Sequence, residues 1–164
     1  MIIMFMLICG FICIVANIEI VPEGKVYVIE RMGAYYRIMN SGVHFKTPFI
    51  DKVARRLSLK EQIIDCPSCP ALTKDNVKMK MEVSLFFQIV DPRLYTYCAD
   101  NPLEVLEFLI ATSVRNIIVD MSKDQVLNSG ESLNIKILED LEPVIKKLGI
   151  KILLVRVTDI LTID

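Results

Sequence analysis

The chain carries a single histidine, His44, and almost no net charge, with 19 Lys and Arg against 20 Asp and Glu for a formal balance of −1. One histidine with no nucleophile or carboxylate at a telling spacing leaves no Ser-His-Asp or Cys-His arrangement to read. A balanced charge supplies no basic field, so no nucleic-acid partner is expected. There is no Gly-rich phosphate loop. Glu139, Asp140 and Glu142 read as one solvated helix face rather than as a catalytic carboxylate pair. No catalytic residue, cofactor, metal or small-molecule substrate is therefore expected, and the protein is not expected to be an enzyme. Internal repeats, low-complexity tracts and linkers are lacking too. With 53% of its residues apolar, the chain is not intrinsically disordered.

Charge is also missing from the whole first stretch: up to Ile18 every residue but Gly10 and Asn17 is apolar, and Glu19 is the first ionisable side chain. As a helix, residues 2–18 would run about 26 Å, a little short of a hydrocarbon core of roughly 30 Å. An uncleaved membrane anchor over 1–18, followed by one domain over 19–164, is the expected organisation. A cleaved signal peptide is a rival, but no Lys or Arg precedes the apolar run; a hairpin or interfacial segment is another. Lys25, Arg31 and Arg37 follow the run closely, and the positive-inside rule then places the domain in the cytoplasm. Five cysteines in no regular framework agree with a reducing compartment. Cys9 and Cys13 read as small apolar fillers of the anchor, with a helix-packing face of small residues as the alternative.

Beyond the anchor the text changes period once. Lys25 to Arg31 alternates as a half-buried strand, Gly33 supplies a turn, Tyr35 to Ile38 is a second strand, and Val53 to Leu59 and Gln62 to Cys66 are two more. Thr73-Lys74-Asp75-Asn76 is a turn cluster opening the longest strand, Val77 to Val90. There Val77, Met79, Met81, Val83, Leu85 and Phe87 share a face opposite Lys78, Lys80, Glu82, Ser84 and Gln88, which predicts a sheet with one core side. After Asp91-Pro92 the spacing becomes helical. Asn101 caps a helix with Pro102 at its first position and a stripe of Leu103, Leu106, Ile110, Val114, Ile117 and Met121. A second stripe holds Ile135, Leu138, Leu141, Ile145 and Leu148, with Pro143 expected to kink it or restart it and Gly149 to stop it. Ile150 to Ile160 closes as a strand. Strands, then helices, then a strand predict an α+β fold.

These residues also carry a recognisable pattern. Val21-Pro22-x-Gly24, Glu30-Arg31-x-Gly33-x-Tyr35, Gly42-Val43-x-Phe45, Pro48-Phe49-Ile50-Asp51, Lys74-Asp75-Asn76 and Asp91-Pro92 resemble the SPFH (Band 7) family of stomatins and prohibitins, most of all its stomatin branch. Val114 to Ile118, Leu133-Asn134 and Gly149 to Asp159 are similar as well, so the resemblance covers about residues 18–160. It implies an SPFH domain in a membrane-anchored scaffold. Such a scaffold oligomerises, concentrates in lipid microdomains and regulates membrane proteins such as channels or proteases, without catalysis. Its expected partners are membrane lipid, further copies of the chain, and a membrane protease or channel. Members usually continue into a long charged coiled coil, whereas this chain stops at Asp164; a large closed assembly is not expected of it, whether as a truncated member or a fragment. Gly130 and Asp120 depart from the basic residue and the Gly usual at these positions.

Most matched residues read as structural: Pro22, Gly24, Gly33, Gly42, Pro48, Asp75 and Asn76 suit turns and strand ends. Phe45, Phe49 and Ile50, flanked by His44, Lys46 and Lys52, form an apolar cluster with two readings: packing under a loop, or insertion into the headgroup region with Lys46 and Lys52 meeting lipid phosphates. The run Lys52, Arg55, Arg56, Lys60 reads as a solvated strand face, with anionic lipid or an acidic partner as the alternative. Cys66-Pro67-Ser68-Cys69 is a C-x-x-C. With Cys98 and His44 it holds the ingredients of one zinc site, but it lacks a second close pair, and its prolines fit a strand exit and loop. A membrane-tethered thiol redox or zinc protein using Cys66 and Cys69 is the alternative function.

Overall fold

A computed structural model of the chain describes Met4 and residues 17–163. The expected anchor over 1–18 therefore lies, apart from Met4, Asn17 and Ile18, outside the described residues. Among the described residues no helix is long and apolar enough to cross a membrane. The chain divides after Lys60 into two compact units.

Residues 17–60 of the first unit form strands and turns. β1 (Ile18–Val21) pairs antiparallel with β4 (Gly42–Phe45), and β2 (Lys25–Arg31) lies between β3 (Ala34–Met39) and β5 (Asp51–Ser58). One small core cluster joins Val21, Tyr27, Ile29 and Met39, with Val53 packed against it, and Val26, Val28 and Leu57 are also buried. The alternation expected of β2 as a half-buried strand is not what the structure has: Val26, Tyr27, Val28 and Ile29 are all buried, so both faces of the strand are covered over this stretch, as two apolar sets allow. Met32 and Gly33 join β2 to β3 with φ of 54° and 84°. Positive φ at both central residues is what a two-residue type I′ hairpin needs, and Gly33 meets it without steric cost.

The second unit is a sheet covered by helices. β6 (Gln62–Leu72), β7 (Lys78–Ile89) and β8 (Ile150–Ile163) are antiparallel with β7 in the middle. β7 realises the expected alternation, with Met79, Met81, Val83, Leu85, Phe87 and Ile89 buried and the intervening residues partly or fully exposed. Asp91 starts a short helix α1 (Pro92–Tyr97), its Oδ1 accepting the N–H groups of Arg93 and Leu94 at 2.9 and 3.0 Å. α2 (Pro102–Ile118) packs on β6, α3 (Lys123–Asn128) follows, and α4 (Gly130–Ile145) packs on β8. Each large side chain buried on such a face contributes about 1.5–3 kcal/mol of transfer free energy.

Several expectations need correcting. The stripe of α4 that faces the sheet is Leu133, Ile137, Leu141 and Ile145, four apart throughout, and Ile135 is exposed. In α2 the buried set is Pro102, Leu106, Ile110, Ser113, Val114 and Ile118; Ile117 is half-buried and Leu103 is exposed. Pro143 does not divide α4, whose helix continues to Ile145 and tightens to a 3₁₀ turn over Lys146–Leu148. Both Pro143 and Glu139, whose carbonyl loses its partner N–H, are exposed. Gly149 stops the turn as expected, at φ 74°, and its carbonyl accepts from the N–H groups of Val90 and Asp91 at 2.9 Å. β6 does not exit at Cys66: it runs on to Leu72 through a bulge between Cys66 and Cys69.

Candidate functional site

The expected contact residues Phe45, Lys46, Phe49, Ile50 and Lys52 gather at one end of the first unit, and the backbone there is tied down at each step. The Lys46 N–H donates to the carbonyl of Asn17 at 2.9 Å, which holds the start of the 46–50 loop to the first described residue after the apolar run. Asp51 then closes the loop: its N–H donates to the Thr47 carbonyl and its Oδ2 accepts from the Thr47 N–H, both at 2.9 Å. Arg31 grips the same carboxylate with Nε at 2.7 Å and Nη2 at 3.1 Å. The Met32 N–H donates to the Ile50 carbonyl at 3.3 Å, so the β2–β3 hairpin tip stands beside the loop. The guanidinium of Arg31 also lies 3.7 Å over the Tyr36 ring. The Arg31 hydrogen bond, and then the Thr47 N–H, lower the Asp51 carboxyl from its ordinary 3.8 to about 2, so the clamp is ionised at any physiological pH.

What this clamp presents is apolar. Phe49 is fully exposed and held at φ 67°, and Met32 is 89% exposed at φ 54°. A bulky side chain at positive φ costs about 1–3 kcal/mol and is kept only where the surroundings impose it. Ile50 is exposed beside them. Next to the loop, the β1–β4 ribbon pairs Ile18 with Phe45 and Ile20 with Val43. By the two-residue period these four share one face, and all four are exposed, Ile20 at 67% and Phe45 at 64%. The opposite face carries Val21 into the core and Glu19 into an ion pair.

Of the two lysines expected to meet phosphates, Lys46 is turned elsewhere: its Nζ lies 2.7 Å from Glu19 Oε2, and both side chains are largely covered. Lys52 is exposed on β5. His44 places Nε2 2.7 Å from the Asn40 carbonyl. Arg56 reaches Glu19 Oε1 at 3.5 Å and stacks 5.1 Å from the Tyr27 ring, so this part of the basic run serves the first unit's own structure. The sequence reading missed Ile18, Ile20, Met32 and Val43. For three of them the signal was present, since Ile18-Glu19-Ile20-Val21 and Gly42-Val43-His44-Phe45 each alternate.

The turn residues are placed as follows. Gly24, Gly33, Gly42 and Asn76 have positive φ; Pro22 offers its carbonyl to the Lys25 N–H at 3.2 Å; Pro48 precedes Phe49 in the loop. Asp75 Oδ2 accepts the Lys123 N–H at 3.0 Å and so ties the β6–β7 turn to the start of α3. Among the described residues no group of three or more His, Cys, Asp or Glu side chains is gathered in a way that could hold a metal ion.

The pattern of the SPFH domain / Band 7 family matches residues 19–162. An uncharacterized protein of Schizosaccharomyces pombe is 36% identical over 143 residues, 87% of this chain and 40% of that protein. Stomatin-like protein 2, mitochondrial, of Homo sapiens is 32% identical over 140 residues, 85% of this chain and 39% of that protein. An uncharacterized protein of Mycobacterium tuberculosis is 27% identical over 147 residues, 90% of this chain and 39% of that protein. The chain thus spans about two fifths of the length of the curated relatives it matches. It belongs to the SPFH domain / Band 7 family.

Proposed function

We propose that this SPFH domain / Band 7 member is a non-catalytic scaffold seated on a membrane, with the clamped end of its first unit resting in the leaflet. The observation that carries the reading is the group of exposed apolar side chains formed by Ile18, Ile20, Val43 and Phe45 on one face of the β1–β4 ribbon and by Met32, Phe49 and Ile50 at the clamped loop that follows it, close in sequence to the uncharged run. A soluble surface tolerates scattered apolar side chains, but a set grouped on one ribbon face and one clamped loop, with Met32 and Phe49 on left-handed backbone, is what a bilayer or a partner rewards. Moving one Ile or Phe side chain out of water contributes about 1.5–3 kcal/mol. Several such side chains, added to a single membrane-spanning anchor in the uncharged run that precedes β1, hold the unit against the leaflet rather than on a free tether.

With the chain so placed, weak lateral contacts between copies suffice for a stable patch, because confinement to a surface raises the effective concentration of each neighbour. The patch organises the lipid around it and regulates other membrane proteins, a channel or a protease among them. Lys25, Arg31 and Arg37 favour the cytoplasmic side for the domain. Native mass measurement of the detergent-extracted full chain tests the scaffold: a distribution of multimers is expected, and a strictly monomeric particle contradicts it.

A further inference from the structure

We propose that Cys66 and Cys69 form an oxidisable dithiol that closes into a disulfide within β6 when the protein meets a hydroperoxide. In a regular strand, residues three apart point to opposite faces and stand about 10 Å apart. Here the register pairs Cys66 with Val83 and Cys69 with Met81, three steps against two, so the bulge absorbs the extra residue and turns both cysteines to the core face of the sheet. Their Sγ atoms are 2.7 Å apart, both residues are buried, and both thiols are free. Two sulfurs alone do not complete a tetrahedral zinc site, and among the described residues no third ligand gathers at this point. The exposed Cys98 instead donates its thiol to the Tyr95 carbonyl at 3.5 Å.

The two thiols differ in access. Cys66 is 8% exposed and Cys69 is sealed at 0%. Burial, and then the hydrogen bond with Cys66, push the Cys69 thiol up to about 12, which keeps it protonated at neutral pH. Cys66 is therefore the sulfur that meets the oxidant. Its thiol takes one oxygen from the hydroperoxide, giving the sulfenic acid and releasing the alcohol, or water when the oxidant is hydrogen peroxide. The Cys69 sulfur then attacks the Cys66 sulfur; the S–O bond breaks, the S–S bond forms, and the hydroxide leaves as water with the Cys69 proton. The ring so closed pins the bulge of an edge strand on which α2 packs.

Peroxide treatment of the full chain, followed by denaturation in an alkylating agent and tryptic mass spectrometry, tests this. Cleavage after Lys60 and Lys74 yields one peptide, residues 61–74, that holds both cysteines and no other. The expected result is loss of two hydrogens and of both alkylation sites from that peptide, restored by dithiothreitol. In the Cys66→Ser protein, Cys69 should stay fully alkylatable at the same dose. A doubly alkylated 61–74 peptide at doses that oxidise Cys98, or one carrying sulfinic or sulfonic oxygens in place of the disulfide, overturns the proposal. The readout is confined to this peptide and stands apart from the scaffold reading.

Discussion

Residues 61–164 turn their sheet-facing apolar side chains inward: β7 contributes Met79, Met81, Val83, Leu85 and Phe87 to a core closed by Leu106, Ile110, Val114, Leu133, Ile137 and Leu141. Residues 17–60 are organised differently. One cluster joins Val21, Tyr27, Ile29 and Met39 with Val53 against it, and Val26, Val28 and Leu57 are buried as well, while Ile20, Met32, Val43, Phe45 and Phe49 face outward, two of them on left-handed backbone. In the second unit the sheet-facing apolar set is where folding wants it, although Ile63, Val90, Phe108, Ile135 and Leu161 are exposed on that unit's outer faces. In the first, a polar clamp of Arg31, Asp51 and Thr47 holds apolar residues where folding gains little from them. The difference separates side chains that stabilise the protein from side chains that give it a surface, and substitution can take the two apart.

The largest effect is expected from Phe87→Ala, which empties a fully buried position in the central strand and should cost about 3–5 kcal/mol in denaturant unfolding. Gly149→Ala comes next. Its φ of 74° disfavours any side chain by about 1–3 kcal/mol, and the new Cβ would stand 2.5 Å from the Asp91 carbonyl oxygen, so a clear drop in Tm is expected. In the first unit the clamp should show as pH dependence. The folded Asp51 carboxyl is lowered from 3.8 to about 2, so its contribution is present above the unfolded value and is lost as pH falls from about 4 through about 2. Asp51→Asn should lower stability at neutral pH and flatten that acid limb; an unchanged limb would mean the clamp is not what titrates. The smallest effect on stability is expected from Phe49→Ala, within about 0.5 kcal/mol. A loss approaching that of Phe87→Ala would place Phe49 in a packed core and erase the contrast between the units.

How much of this was legible depended on whether one period dominated locally. β7 could be read almost residue by residue, because Phe86 is the one apolar residue on its polar face, and Asn101-Pro102 marked the start of α2. The register of α4 could not, since Ile135 is apolar yet exposed and blurs the four-residue ridge from Leu133 to Ile145. The two prolines around Cys66 and Cys69 read as a loop because a bulge is set by pairing with β7, which no local signal carries. α3, six residues long, was not read from the sequence, although Ser122 and Gln125, which form a capping box in the structure, were its signal. At the candidate site Phe45, Phe49 and Ile50 were visible as a cluster. The alternation of β1 was masked because Ile18 and Ile20 merge with the apolar run before them, so that its signal was present but went unread, and Met32 stands alone between Arg31 and Gly33. The engagement of Lys46 by Glu19 is a contact across 27 residues that only the β1–β4 pairing creates.

The chain contains no tryptophan, so Phe49→Trp gives a single fluorescent reporter at the tip of the clamped loop. Reconstituted as the full chain in vesicles containing brominated lipid, it should emit blue-shifted and be strongly quenched, while Phe108→Trp on the exposed side of α2 keeps a water-like spectrum and little quenching. An unquenched, water-like emission from Phe49→Trp, matching that of Phe108→Trp, would contradict the placement of this surface in the bilayer.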